Sequence, residues 1–276
     1  MFSSVTVIGA GIFGVSTALE LLDRGFQVTL VEQFEEFDLR TTSNGVNRII
    51  RYSHGNDIWY TKSARKAKRL WKNLENRLSM NLIDECGCAW FAHVEDGWAN
   101  SSQKILEDEG IPVERLDPID GERLFPSLGY DDLAFILYEP DAGIIRAVKA
   151  INALRKEFID SGGKFLFGKA ERNGNSVIIE GNIHKTDAII WCCGPWISNL
   201  FDIITKVKVT VQEVTFFHSG PEWDSPNVPA FADIENTKKF YGTGGLEGFP
   251  FKLASDQRGV EFNPDLDQRK LNENQL

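Results

Sequence analysis

Val5-Thr6-Val7-Ile8 is an uninterrupted, largely β-branched run of the kind found in strands buried on both faces. It leads directly into Gly9-Ala10-Gly11-Ile12-Phe13-Gly14, after which Val15, Ala18, Leu19 and Leu22 recur at helical spacing. Gly25 stands where a helix C-cap is expected, and residues 27–31 form a second apolar strand that ends on Glu32. The pattern predicts strand, glycine turn, helix and strand, a βαβ unit with a parallel sheet. Farther along, residues 188–193 read as another buried strand, whereas residues 206–217 and 249–254 alternate as antiparallel strands covered on one face do. Trp59, Ala64, Ala67, Trp71, Leu74 and Leu78 predict the apolar face of a long helix, which leaves Lys62, Arg65, Lys66, Lys68, Arg69 and Lys72 on a solvated face.

Composition narrows the class. The chain has 276 residues, 42% apolar and 25% charged, with a net charge of −10. Its length suggests about two domains. The acidic balance argues against nucleic-acid or anionic-membrane partners, and no apolar run is long enough to span a bilayer. The start of the chain lacks the basic segment and cleavage site of a secretory signal, and the four cysteines (Cys86, Cys88, Cys192, Cys193) lack C-x-x-C spacing, so a cytoplasm-like reducing compartment is expected. His54, His93, His184 and His218 have no neighbouring ligands at metal spacing, and no metal is expected.

The glycine motif has a stated chemistry. Gly9 permits the tight turn, Gly11 lets the backbone approach a pyrophosphate, and Gly14 lets the helix pack closely on the strand. The N–H groups at the helix start, at Ile12 and Phe13, then face the anion. Glu32, eighteen residues after Gly14, is placed to accept from adenosine ribose hydroxyls and would repel a 2′-phosphate. A dinucleotide other than NADP is the expected ligand.

The polar stretch Thr41-Thr42-Ser43-Asn44-Gly45-Val46-Asn47-Arg48-Ile49-Ile50-Arg51 is unlike the third strand of an NAD dehydrogenase. With its R-I-I-R run, the sequence resembles the glycine/D-amino-acid oxidase superfamily of flavoproteins, in its monomeric sarcosine oxidase, N-methyltryptophan oxidase and pipecolate oxidase branch. The resemblance continues through Glu139-Pro140-Asp141-Ala142-Gly143, a following helical pattern over residues 147–158, the Gly162-Gly163 turn, Gly194-Pro195-Trp196, Tyr241-Gly242 and Lys252-Leu253. Proline replaces the family's alanine in the Gly194 turn.

The resemblance implies FAD as cofactor, with Ser43 by the pyrophosphate, Ala170 near the adenine, and Gly194 and Trp196 against the FAD. It places Arg48 and Arg51 by the flavin and the substrate, Tyr241 on the substrate side, and Lys252 where the matching lysine promotes reaction with oxygen. Taken alone, Arg48 and Arg51 also read as a surface cationic pair, Tyr241 as a core aromatic and Lys252 as a snorkelling strand lysine. The implied activity is oxidation of the C–N bond of a small N-methyl or cyclic amino acid by a monomer, with oxygen or another electron acceptor, in the cytoplasm or, in a eukaryote, the peroxisome.

The fold expected is α/β: a Rossmann-like FAD-binding domain built from residues 1–82 and about 143–204, and a second, mainly antiparallel substrate domain from residues 83–142 and 205–276. Family members continue with a segment that supplies the last FAD contacts, a flavin-linking cysteine and a carboxylate-binding lysine, whereas this sequence stops at Leu276. No covalent flavin and a marginal fold are therefore expected of the chain as given. A non-catalytic dinucleotide-binding or interaction protein is the alternative reading.

Overall fold

The computed structural model describes residues 3–35, 38–125, 131–201 and 207–267. The chain divides into two compact units, one of Met1–Val46, Ala147–Val209 and Glu261–Leu276, the other of Asn47–Arg146 and Thr210–Val260.

The first unit is built on a parallel sheet in the order Ala188–Trp191, Ser4–Ile8, Gln27–Glu32, Lys164–Phe167. Register runs from Val5 opposite Ala188 and Val28 to Ile8 opposite Trp191 and Val31, so the strands end level with one another. The helices Ile12–Asp23 and Ala147–Asp160 pack together, the first burying Val15, Ala18 and Leu19 and the second Ile151, Leu154 and Phe158. Each such large apolar side chain contributes about 1.5–3 kcal/mol on burial. A small antiparallel sheet of Ala170–Asn173, Ser176–Ile179 and Asn182–His184 packs Val177 and Ile179 against Ile8 and Val31. The expected βαβ unit and parallel sheet are present.

The second unit holds a seven-stranded sheet in the order Val214–Phe217, Phe251–Ser255, Phe240–Thr243, Ala230–Asp233, Cys88–Ala92, Phe135–Glu139, Glu114–Leu116. All neighbours are antiparallel except Ala230–Asp233 with Cys88–Ala92. Strands are present at both alternating segments noted in the sequence, although Lys206, the start of the first, lies outside the described residues.

Two expectations change. The strand Asn47–Ile50 pairs antiparallel with Gly143–Arg146, which also pairs with Ile83–Asp84, so residues 47–82 and 143–146 join the second unit rather than the nucleotide domain. Conversely, Phe262 N–H donates to Val209 O at 2.9 Å, and Asp265 accepts from Trp196 Nε1 at 2.8 Å, which ties residues 261–267 to the first unit. Backbone pairing between segments far apart in sequence sets these boundaries.

The helix Ile58–Leu78 also departs from its pattern. It buries Thr61, Lys68 and Glu75, while Trp59 is exposed. The buried polar groups have work at that face: Glu75 accepts from Leu82 N–H at 2.6 Å and Ile83 N–H at 2.8 Å, and Lys68 Nζ donates to Asp141 O at 2.7 Å and pairs with Glu85 at 2.9 Å. Among the described residues, no helix is long and apolar enough to cross a membrane.

The parallel pairing of Ala230–Asp233 with Cys88–Ala92 brings Asp233 to His93. His93 Nε2 lies 2.8 Å from Asp233 Oδ2, and Nδ1 lies 3.0 Å from Asp132 O. Burial lowers the imidazole, but the Asp233 hydrogen bond and charge outweigh it and hold the pKa above 6.5. A cation favoured in the folded state stabilises fully below the unfolded value of about 6.5, and that stability is lost as pH rises through the higher folded value. Asp233→Asn should flatten this fall in urea-unfolding stability above about pH 6.5. An unchanged pH profile in the variant would contradict the pairing.

Candidate functional site

The first unit contains a cavity of about 760 Å³, a size typical of small-molecule sites, at the level ends of its parallel strands. The glycine turn forms its floor. Gly9 has φ of +95°, and a Cβ there would collide with the Cys192 carbonyl; a Cβ on Gly14 would collide with the Gly9 carbonyl. Helix, turn and strand therefore approach closer than any side chain allows. Gly11 faces Ser43, whose hydroxyl accepts from Ile12 N–H at 3.1 Å, the N–H that opens the helix.

Glu32 closes one side of the cavity. Its Oε2 accepts from Ala10 N–H at 2.9 Å, and its Oε1 from Gln33 N–H at 2.9 Å and Phe34 N–H at 3.3 Å. Arg155, on the helix Ala147–Asp160, donates to Ala10 O through Nε at 3.0 Å and Nη2 at 2.8 Å. Ala170, Gly194 and Trp196 line the cavity together with Gly9, Gly11, Ile12, Phe13, Glu32 and Ser43, so nine of the ten residues of this unit singled out by sequence meet in one place. Gly14, the tenth, acts behind the surface by packing on Gly9. Cys192 and Cys193 also line the cavity, and burial pushes the Cys193 thiol up to about 12, so both are neutral thiols rather than nucleophiles.

This cavity fits a dinucleotide on its own geometry. It combines a helix N-terminus, a side-chain-free cradle at Gly9 and Gly11, and a fixed carboxylate on the neighbouring strand, the donor and acceptor set for pyrophosphate and ribose.

The second unit gathers the cationic candidates. Lys252 is buried, and its Nζ donates to Asn47 Oδ1 at 2.9 Å and approaches Asn47 O at 3.5 Å. Asn47 Nδ2 donates in turn to Thr243 Oγ1 at 3.0 Å, and both residues are buried. The Tyr241 ring lies 5.6 Å from the ammonium, a cation–π distance. No carboxylate among the described residues pairs with Lys252, and burial, reinforced by the Arg48 charge, lowers its pKa to about 8. Arg48 is exposed, with Nη1 donating to Asn47 O at 2.7 Å. Lys252 thus differs from a snorkelling strand lysine, because its head as well as its stem is inside.

Arg51 belongs to a neighbouring group. Its guanidinium lies 4.8 Å from the Trp90 ring and 5.9 Å from Trp98, and Nη1 donates to Ser53 O and contacts His54 Nδ1 at 3.2 Å. Burial and the Arg51 charge push His54 down to about 4, so it is neutral. Glu139, fully buried, accepts from Tyr52 N–H at 2.6 Å, Ser53 N–H at 3.2 Å and Trp90 Nε1 at 2.7 Å, which fixes the backbone just after Arg51 and the indole beneath it.

Asn47, Thr243, Arg155 and Glu139 carry these arrangements without having been assigned any role by sequence. Glu139 had a signal as the first residue of its E-P-x-x-G run, and Asn47 lay in the polar stretch just before Arg48; Thr243 and Arg155 had none. Among the described residues no group of three or more His, Cys, Asp or Glu side chains could hold a metal ion.

The sequence model of the DAO family, described as FAD dependent oxidoreductase, matches residues 4–255. The chain is 24% identical to the monomeric sarcosine oxidase of Bacillus sp. (strain B-0618), over 97% of this chain and 72% of that protein. It is 28% identical to the peroxisomal sarcosine oxidase of Mus musculus, over 72% of this chain and 52% of that protein. The chain thus spans about half of the mouse relative's length. Its fold matches a crystal structure of L-proline dehydrogenase from P. horikoshii with a TM-score of 0.79 at 20% identity, covering 99% of this chain and 74% of that one.

The lowered pKa of Lys252 has a measurable sign. Between about 8 and the ordinary 10.5, the unfolded chain holds a proton on this lysine that the folded chain has released, so stability rises with pH across that window. Lys252→Met should remove this rise when urea midpoints are compared across the window. Parallel profiles for the two proteins would mean that the ammonium is solvated.

Proposed function

Because the chain belongs to the DAO family of FAD-dependent oxidoreductases, we propose that it oxidises the carbon–nitrogen bond of a small amino acid whose nitrogen is a secondary amine, N-methylated or cyclic. The observation that carries this reading is Lys252, a buried cation held by an amide and an aromatic ring, with no carboxylate partner among the described residues. Such a group costs on the order of several kcal/mol to bury, so a fold does not keep it for stability. FAD, when bound, accepts two electrons and gains negative charge, and a fixed cation serves that change.

In this reading Gly9, Gly11, Ile12, Phe13 and Ser43 hold the pyrophosphate, Gly14 lets the helix pack close enough on Gly9 for them to do so, Glu32 holds the adenosine ribose, and Ala170, Gly194 and Trp196 complete the cavity. Arg48 and Lys252 supply positive charge. Arg51 and Tyr241 face the substrate: Arg51 Nε and Nη2 have no protein acceptor among the described residues, which suits a substrate carboxylate. The amino acid loses a hydride equivalent from the carbon beside nitrogen and a proton from nitrogen, leaving an imine that water hydrolyses. Its two electrons pass finally to oxygen or another acceptor.

The names of the two sarcosine oxidases support an N-methyl substrate, and the matches do not favour the non-catalytic alternative. We propose a monomer using oxygen in a reducing compartment, cytoplasmic or peroxisomal. The free thiols of Cys86, Cys88, Cys192 and Cys193 and the name of the mouse relative, a peroxisomal sarcosine oxidase, support the compartment.

Purified protein supplied with FAD should show a bound-flavin visible spectrum, bleached anaerobically by sarcosine, other N-methyl amino acids or pipecolate. Reduction by hydroxy acids alone would refute the substrate class. In stopped flow, Lys252→Met should slow reoxidation by oxygen roughly a hundredfold while changing anaerobic reduction far less. Equal oxygen reactivity in both proteins would remove Lys252 from the mechanism.

A further inference from the structure

Arg155 sits on a helix whose sequence marks it as an ordinary charged position, yet its side chain is only 15% exposed. Both Nε and Nη2 converge on one acceptor, Ala10 O, and Nη2 also reaches within 3.5 Å of Glu32 Oε2. Ala10 is fully buried, and its N–H donates to that same Glu32 oxygen. Three groups therefore close a ring: the Glu32 carboxylate, the backbone of the residue between Gly9 and Gly11, and the guanidinium. The ring ties the backbone of the phosphate-binding turn to the carboxylate on the neighbouring strand, through a side chain brought from 123 residues away.

We propose that Arg155 is a positioning residue for the dinucleotide: it fixes Glu32 relative to the glycine turn, so that ribose and pyrophosphate are gripped at one set separation. The proposal rests on the reading of the cavity as a dinucleotide site. Arginine suits the position because its planar fork spans a carbonyl and a carboxylate together, which the single ammonium of lysine does not do with the same geometry. Burial works against the guanidinium, lowering its pKa, while Glu32 opposes that shift. Glu32 keeps its other oxygen on the Gln33 and Phe34 N–H groups, so Arg155 governs the Oε2 side, where the turn lies.

The test compares wild type, Arg155→Gln and Arg155→Lys, each shown to be folded by thermal unfolding, in binding FAD, ADP and 2′,3′-dideoxy-ADP by calorimetry. Wild type should prefer ADP over the dideoxy nucleotide, because Glu32 accepts from the ribose hydroxyls. Arg155→Gln should bind FAD roughly ten- to a hundredfold more weakly, as expected for loss of a charge-assisted contact, and its preference for ADP over dideoxy-ADP should collapse toward one. Arg155→Lys should fall between the two. A merely structural role would weaken both nucleotides equally and leave their ratio intact, and that result in either folded variant overturns the proposal. Failure of the wild type itself to bind FAD or ADP would instead overturn the reading of the cavity, and the proposal with it.

Discussion

The nucleotide-binding unit depends on one approach of backbone to backbone. The helix Ile12–Asp23 meets the carbonyl of Gly9, and Gly9 meets the carbonyl of Cys192, at distances that leave no room for a Cβ at Gly14 or Gly9. Parallel register delivers Ile8, Val31 and Trp191 to one level, so the helix N-terminus, the carboxylate of Glu32 and the Gly194 turn open into the same cavity. A larger residue at Gly9 or Gly14 would push the helix away from the strand ends and enlarge the gap between the N–H groups at the helix start and the Glu32 carboxylate. Glycine is required here by the backbone separation, as well as by the positive φ at Gly9.

The second unit is organised by buried polar groups, and what satisfies each one separates structure from chemistry. Glu139 takes two backbone N–H groups and an indole N–H; Glu75 takes two backbone N–H groups and Lys72; Lys68 takes a carbonyl and Glu85. These are well-provided polar groups that fasten loops and helices to strand ends. Lys252 is different, because its partners are an amide, a backbone carbonyl and an aromatic face, none of which carries the opposite charge. Burial, with the Arg48 charge nearby, lowers its pKa to about 8, and among the described residues no carboxylate neutralises it.

Arg155 and Asn47 have the same logic on different units. Neither would be chosen as a functional residue by type, yet each holds a charged side chain in one orientation: Glu32 through a shared Ala10 backbone, and Lys252 through an amide that is itself anchored on Thr243. The charged groups are informative because their neighbours leave them so little freedom.

The βαβ unit was legible in the sequence because its determinants are local: a β-branched run, a glycine turn, a 3.6-residue apolar period and a second strand all lie within the first 32 residues. The site residues of that motif, with Ser43, Ala170, Gly194 and Trp196, came from spacing and family resemblance, and the fold brings all of them except Gly14, which packs behind the turn, to one cavity. What the sequence left open were decisions made by distant pairing. Asn47 and Thr243 are 196 residues apart, Arg155 and Ala10 are 145 apart, and the division between units follows strand partners that no periodicity reveals. The helix Ile58–Leu78 illustrates the physical reason. Its apolar pattern selects Trp59 for the interior, but the surface it covers presents backbone N–H and carbonyl groups that need partners, so Lys68 and Glu75 are buried and Trp59 is left in solvent. Hydrophobic period and turn chemistry act along the chain and are written in it; satisfaction of buried polar groups acts across the chain and is decided only when the fold closes.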